Sequence, residues 1–410
     1  MVENNVMTNL CEFVLCSKIM NKIFKYFDLL RKTDVNDLKN LNLASKNVNK
    51  KVRSIFNYKL VFLLNDDNID KVRARKIRVK DNKCKDETLK FIKNTFDLLV
   101  FNEPTFINKK ILNMKDLEQF DIKKIFVHYY LERPIDYIPS SVTHLTFPNY
   151  FNESIDNLLP SSITHLTFGY LFNQSIDHLP SGITHLILDG EFYKPMDHLP
   201  SSLIYLYTGD HFDLSIDHLP SSLTILIVGY WFNQPIDHLP SSINSLTLGE
   251  KFNQPINHLP TSLKNLMLGS CFNQPIDHLP SSIKHLKSGC DFNQPIDNLP
   301  LSIKSLKFGS GFNQPIDHLP TLCQDLTLGH FFDQPIDHLP SSLEFLKLEY
   351  CFNQPIDHLP STLIYLKLGS RFNHPMNKLP DSLIYLKLRY RNNQKMDHLR
   401  PNIMLEFYYS

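Results

Sequence analysis

Between Leu131 and Ser410 the apolar positions recur at intervals of about twenty residues, a period that belongs to neither a helix nor a strand but to a repeated unit. Aligned on a Phe-Asn step, units begin at 131, 151 and 172 and then at every twentieth residue to 392, about fourteen in all. Leu131 and Asn392 stand for Phe in the outermost units, and the consensus runs F-N-Q-P-I-D-H-L-P-S-S-L-x-x-L-x-L-G-x-x. Inside a unit, Ile243-x-x-Leu246-x-Leu248 alternates with a period of two, which predicts a short strand with Leu246 and Leu248 facing inward. Prolines gather in two columns, exemplified by Pro235 and Pro240, and lack the N–H that a sheet ladder needs, so those columns are corners. Nine of the twelve glycines, Gly229 and Gly249 among them, fall just after the strand, where a sharp turn or a positive φ is expected.

One such unit buries too few side chains to offset the entropy of ordering its backbone, so the units must seal one another by stacking. A twenty-residue coil with two prolines has no room for a proper helix, which leaves its far side extended or irregular. The predicted fold is a mainly β solenoid, a stack with one parallel sheet, preceded by a small all-α unit.

That all-α unit is predicted from the first sixty residues, where Leu15, Ile19, Ile23, Phe24 and Phe27 recur at helical spacing, as do Leu38, Leu41 and Val48. Asp34 and Ser45 would start the later helices. Residues 61–130 read as a linker and a degenerate capping repeat, with Phe101-Asn102-Glu103-Pro104 and Ile122-x-x-Ile125-x-Val127 as remnants of the unit. The basic stretch 71–90 is interrupted by Asp81, Asp86 and Glu87, and Ile77 with Val79 suggests an early strand, so it reads as a solvated edge. Residues 131–410 form the solenoid.

Composition narrows the function. With 43 Lys and Arg against 42 Asp and Glu, the chain as a whole has no charge to attract nucleic acid. Its first residues carry no signal-peptide pattern and no apolar run approaches membrane-spanning length, so a cytoplasmic protein is expected. Seven scattered cysteines without a Cys-x-x-Cys pair argue against a disulfide framework or a zinc module.

The motif that invites a chemical reading is Asp237-His238, which recurs along the array, with histidine at 178, 198, 218, 238, 258, 278, 318, 338, 358 and 398. Catalysis needs one asymmetric constellation, and metal ligands must converge on a point, whereas side chains in register along a solenoid run parallel. Asn157, Asn298, Lys378 and Tyr137 replace the histidine without disturbing the surrounding string. The column therefore reads as a structural ladder. Acid is expected to charge it and loosen the stack unless the aspartates compensate. No phosphate loop, nucleophile elbow or His-Glu-x-x-His helix occurs, and no catalytic, cofactor-binding or metal-binding residue is assigned.

If Leu246 and Leu248 point inward, Ser245 and Thr247 point outward, and these two columns are the ones that vary. The C-terminal half sets Lys287, Lys307, Lys347, Lys367 and Lys387 beside Phe345, Tyr365 and Tyr385, which suits an acidic protein surface with aromatic anchors. A solvated face with tolerated drift is the alternative.

Two resemblances bear on function. The string F-N-Q-P-I-D, verbatim at 232, 272, 292, 312 and 352, with L-P-S-S-L-x-x-L-x-L, resembles the FNIP repeat of social-amoeba and giant-virus proteins, a short relative of the leucine-rich repeat. That resemblance implies a protein-binding solenoid without chemistry. Leu15, Ile23-Phe24-Lys25-Tyr26-Phe27, Asp37-Leu38 and Ser45-Lys46 resemble a divergent F-box, with Cys16 in place of the usual proline. The F-box resemblance implies that Leu15, Ile19, Ile23, Leu38 and Leu41 contact the Skp-type adaptor of a cullin-RING ubiquitin ligase, and that the solenoid holds the protein to be modified. A free-standing scaffold or decoy, its helices merely capping the array, is the other reading.

Overall fold

The structure, a computed structural model, describes residues 137–389 and 399–408 continuously, together with Glu118, 123–127 and short strands at 60–62, 98–101, 106–107 and 110–111. The helices and adaptor contacts expected over residues 1–60 lie outside the described residues, as does the basic stretch 71–90. The chain divides into two compact units, Met1–Phe126 and Val127–Ser410. In the first, β1 (Leu60–Phe62) pairs parallel with β2 (Leu98–Phe101), and β3 (Phe106–Ile107) pairs antiparallel with β4 (Lys110–Ile111). A further strand, β5 (Lys124–Val127), carries buried Ile125 within the degenerate repeat expected there.

The second unit is the solenoid. Its strands are β6 (His144–Thr146), β7 (His165–Thr167), β8 (His185–Ile187), β9 (Tyr205–Tyr207), β10 (Ile225–Ile227), β11 (Ser245–Thr247) and β12 (Asn265–Met267). They continue as β13 (His285–Lys287), β14 (Ser305–Lys307), β15 (Asp325–Leu328), β16 (Phe345–Leu348), β17 (Tyr365–Lys367), β18 (Tyr385–Arg389) and β19 (Met404–Tyr408). Each pairs in parallel with the next, and identical columns face one another: Leu246 meets Leu226 on one side and Leu266 on the other. Two coils depart from the period. The step from His144 to His165 is one residue longer, and Asn157 takes a positive φ of 59° beside the extra leucine, a conformation that asparagine tolerates better than most residues. The step from Tyr385 to Met404 is one residue shorter.

The proline columns are corners, as their missing N–H predicts. In each coil before the last, where Arg400 takes the place, the second proline's carbonyl accepts the N–H three residues on, as when Ile243 donates to Pro240 at 3.2 Å, and the chain turns back into the strand. A second such turn follows the strand, where Phe232 donates to Gly229 at 3.3 Å. No helix occurs among the described residues.

The glycine column lies at the sharp turn expected there, and close packing of the coils constrains it as well. Positive φ occurs only at Gly190 and Gly209 among the described glycines. Elsewhere the constraint is close approach: a Cβ on Gly249 would lie 1.7 Å from the Gly229 carbonyl oxygen, and one on Gly269 would lie 1.8 Å from that of Gly249. Backbone stacks directly on backbone there, and only hydrogen fits.

Two apolar layers fill the solenoid. Leu246 and Leu248 come from the strand, and Phe232 and Ile236 come from the opposite side, all buried. Phe172, Phe192, Phe212, Phe232 and Phe252 stack nearly parallel at 6.1–6.3 Å from coil to coil. Rings of the outer sheet face stack less regularly, at 4.0–4.1 Å for His144, His165 and His185, 5.8 Å for His185 and Tyr205 and 6.3 Å for Phe345 and Tyr365.

Candidate protein-interaction face

Three polar columns are consumed by the stack. Asn233 Oδ1 accepts the N–H of Asn253 at 2.9 Å, and the same contact repeats from Asn253 to Asn273 and from Asn273 to Asn293. Ser242 and Ser262 donate their hydroxyls to the Leu223 and Ile243 carbonyls of the preceding coil at 2.6 Å. Each such bond satisfies a carbonyl that the corner leaves without a strand partner.

The Asp-His column is the third. Asp237 receives His258 Nδ1 at 3.0 Å, Asp297 receives His318 at 3.2 Å, and Asp317 receives His338 at 3.1 Å, each from one coil to the next. Where histidine is replaced, the contact persists: Asn298 donates to Asp277 at 3.2 Å, and Lys378 stands 3.7 Å from Asp357. The imidazoles are about three-quarters exposed and point along the stack. Among the described residues no cluster of three or more His, Cys, Asp or Glu could hold a metal ion. Protonation turns each contact into an ion pair, so the compensation that the aspartates could supply is built into the geometry.

The two outward strand columns do not form such uniform ladders. In the N-terminal half they make an aromatic and aliphatic surface from His144, His165, His185, Tyr205, Tyr207 and Ile227, with Ile225 buried. Each of the three imidazoles stands within hydrogen-bond distance of the preceding threonine, 2.8–2.9 Å from Oγ1 to Nδ1. Burial holds the His185 pKa below that of a free imidazole and raises the Tyr205 phenol. Tyr207 is raised further, by burial and by the bond its hydroxyl donates to Asp210 at 2.6 Å.

In the C-terminal half the structure separates the lysines that the sequence groups as one ridge. Lys307 pairs with Asp325 at 3.0 Å, Lys367 with Glu349 at 2.7 Å, and Lys387 with Glu406 at 2.5 Å. The Glu406 carboxylate holds the Lys387 pKa above its ordinary value. Lys367 and Lys387 also lie over the Tyr408 ring at 5.0 and 5.9 Å. Lys287 is exposed, and Lys347 lies 5.9 Å over the Tyr365 ring. Phe345 and Tyr385 are 40% and 45% exposed, with Tyr365 partly covered between them.

A neighbouring surface escapes the sequence reading. The turn after the strand carries Tyr230 and Trp231 under Lys251, whose ammonium lies 5.8 and 5.6 Å from the two rings. Five coils on, His330 stacks on Tyr350 at 4.7 Å, Phe331 is 56% exposed, and Arg371 covers Tyr350 at 5.2 Å. Trp231 is the single tryptophan of the chain, and that was the available signal.

Comparison with known proteins fits this architecture. A family model described as the FNIP repeat matches residues 133–171, 194–231, 232–271, 252–291, 272–311, 292–331, 312–351 and 352–391, together more than half of the chain. The chain belongs to the FNIP repeat family. Among solved structures, this FNIP-repeat chain is similar to CroV588, described as a novel circular LRR protein structure, at 36% identity and a TM-score of 0.60 over 70% of its own length. It spans 50% of the length of that protein. The functional domain of InlJ from Listeria monocytogenes is 12% identical, with a TM-score of 0.48, over 69% of this chain and 61% of that one. YopM from Yersinia enterocolitica is 19% identical, with a TM-score of 0.38, over 65% and 73% respectively. At these scores the last two likenesses carry no argument. No curated protein matches the chain.

Proposed function

We propose that this FNIP-repeat chain is a non-enzymatic recognition subunit acting in the cytoplasm. Its outward sheet face holds a target protein, and its first sixty residues dock on the Skp-type adaptor of a cullin-RING ubiquitin ligase. The observation that carries the recognition half is the contrast between columns: where coils must match, Phe, Asn and Ser recur and bond across the stack, while the outward strand positions change from coil to coil. A solenoid keeps identity where it supports itself and varies where it meets something else. The adaptor half rests on the F-box resemblance of Leu15, Ile19, Ile23, Leu38 and Leu41.

Lys287 and Lys347 are the informative positions on the face, because changing Lys307, Lys367 or Lys387 would also break an ion pair between coils and mix binding with stability. A chain carrying Lys287→Glu and Lys347→Glu should lose captured proteins in a pull-down from host lysate, and an unchanged set counts against this face. Deleting residues 1–60 should abolish co-precipitation of the Skp adaptor and spare target capture. If the full chain captures targets and never the adaptor, it is a free-standing scaffold.

A further inference from the structure

Three neighbouring coils carry lysines that no carboxylate neutralises. Lys264, Lys284 and Lys304 occupy the position just before the strand, and Lys287 lies on the outer face of β13. The stack holds the first three in line: the Lys264 carbonyl accepts the N–H groups of Lys284 and His285 at 2.8 and 3.0 Å, and the Lys284 carbonyl accepts those of Lys304 and Ser305 at 2.8 and 3.1 Å. Lys287 stands directly across from Lys307 on β14. Of these lysines only Lys307 has a carboxylate partner among the described residues, Asp325 at 3.0 Å.

That arrangement costs stability in the free chain. Strands of one sheet lie about 4.8 Å apart, so each ammonium of the column has a like charge within reach on the next coil. Elsewhere the same position holds Thr224, Asn244, Gln324 or Ile364, so the fold does not require lysine there. Burial, and then the charges of Lys284, Lys307 and Lys304, hold the pKa of His285 below the ordinary imidazole value at the centre of the patch. The patch also has limits. It meets Asn244, Ser245 and Thr247 on its N-terminal side and Asp325 and Glu344 on its C-terminal side. Three coils across the sheet and three residues along the strand give it about 10 Å each way.

Charge density selects the partner. Within about 10 Å an extended acidic segment presents about two carboxylates on one side, half the charge of the four free ammonium groups. Two phosphorylated side chains bring about −1.5 to −2 each and match it. A nucleic-acid strand laid along the stack is longer than the patch and runs on into Asp325 and Glu344. We propose that, on the face read above as holding a target protein, Lys264, Lys284, Lys287 and Lys304 form an anion-binding centre for a protein segment carrying two phosphorylated side chains about 10 Å apart.

Fluorescence anisotropy with a labelled peptide, phosphoserine-Gly-Ser-phosphoserine in uncharged flanks, tests this on the full chain. Binding should saturate, weaken as salt rises from about 50 to 300 mM, and vanish for the unphosphorylated peptide. Lys264→Gln, Lys284→Gln and Lys304→Gln together should lower the affinity at least about tenfold, whereas Lys347→Gln, two coils beyond Lys304, should change it less than about twofold. The triple variant sheds like-charge repulsion and should melt no lower than the wild-type chain, which separates lost binding from lost fold. A second measurement needs no variant: on the wild-type chain the bound peptide should protect Lys264, Lys284, Lys287 and Lys304 from acetic anhydride more than Lys347 or Lys387. No binding of the phosphorylated peptide, equal binding of the unphosphorylated one, protection centred on Lys347, or tighter binding of a single-stranded oligothymidylate of the same net charge overturns the proposal. Target capture that survives phosphatase treatment of the lysate but is lost with Lys347→Glu would strike out the phosphate partner alone and leave the target-holding face standing.

Discussion

The phenylalanine column and the outer sheet face are built on the same coils, and the same twenty-residue period governs both. In the column, Phe232, Phe252 and Phe272 are fully buried and stack on one another at 6.1–6.2 Å, so any change in one must be met by both neighbours. On the face, the corresponding coils carry Ser245, Asn265 and His285, and these positions are only partly covered or exposed. Repetition alone therefore does not tell what a residue is for. What decides is whether its contacts run to the equivalent residue of the next coil or outward.

The sharpest way to break the comparison is Phe272→Ala. It removes a ring held between Phe252 and Phe292 and leaves a cavity that two coils cannot close, at a cost of about 3–5 kcal/mol in denaturant unfolding. Next is Gly269→Ala, which should cost about 2–3 kcal/mol by the same measurement, because the new methyl meets a backbone oxygen that cannot turn aside.

A smaller effect should appear with pH on the face itself. Burial lowers the His185 pKa below the ordinary value of 6.5, so as pH falls through that value the unfolded chain takes up a proton that the folded chain resists. Stability should therefore fall on acidification below about 6.5, until the lower folded pKa is reached. His185→Asn should flatten part of that slope in melting curves between about pH 7.5 and 5.5. The smallest effect belongs to Lys347→Ala, within about 0.5 kcal/mol in denaturant unfolding. A loss as large as that of Phe272→Ala would erase the distinction between the two regions.

Much of this was legible in the linear chain. The alternation of Leu246 and Leu248 with Ser245 and Thr247 correctly separated inside from outside, and the prolines marked the corners. The glycines marked the turn after the strand, but their close approach to the carbonyl of the preceding coil was not legible, because that neighbour lies a full coil away. The lysine ridge was overread for a related reason: Asp325, Glu349 and Glu406 lie 18 or more residues from the lysines they pair with, and nothing local links them. The rim cluster of Tyr230, Trp231 and Lys251 was missed because turn positions carry no periodic signal.

The sequence by itself determined the length of the coil, its inward and outward positions and its corners, because steric limits on proline and the two-residue alternation of a strand act within a few residues. The three-dimensional structure alone decided which cations are already neutralised and how closely the backbone of one coil lies on the next. Those properties depend on distances between residues a full coil apart, and those distances exist only once the coils are stacked.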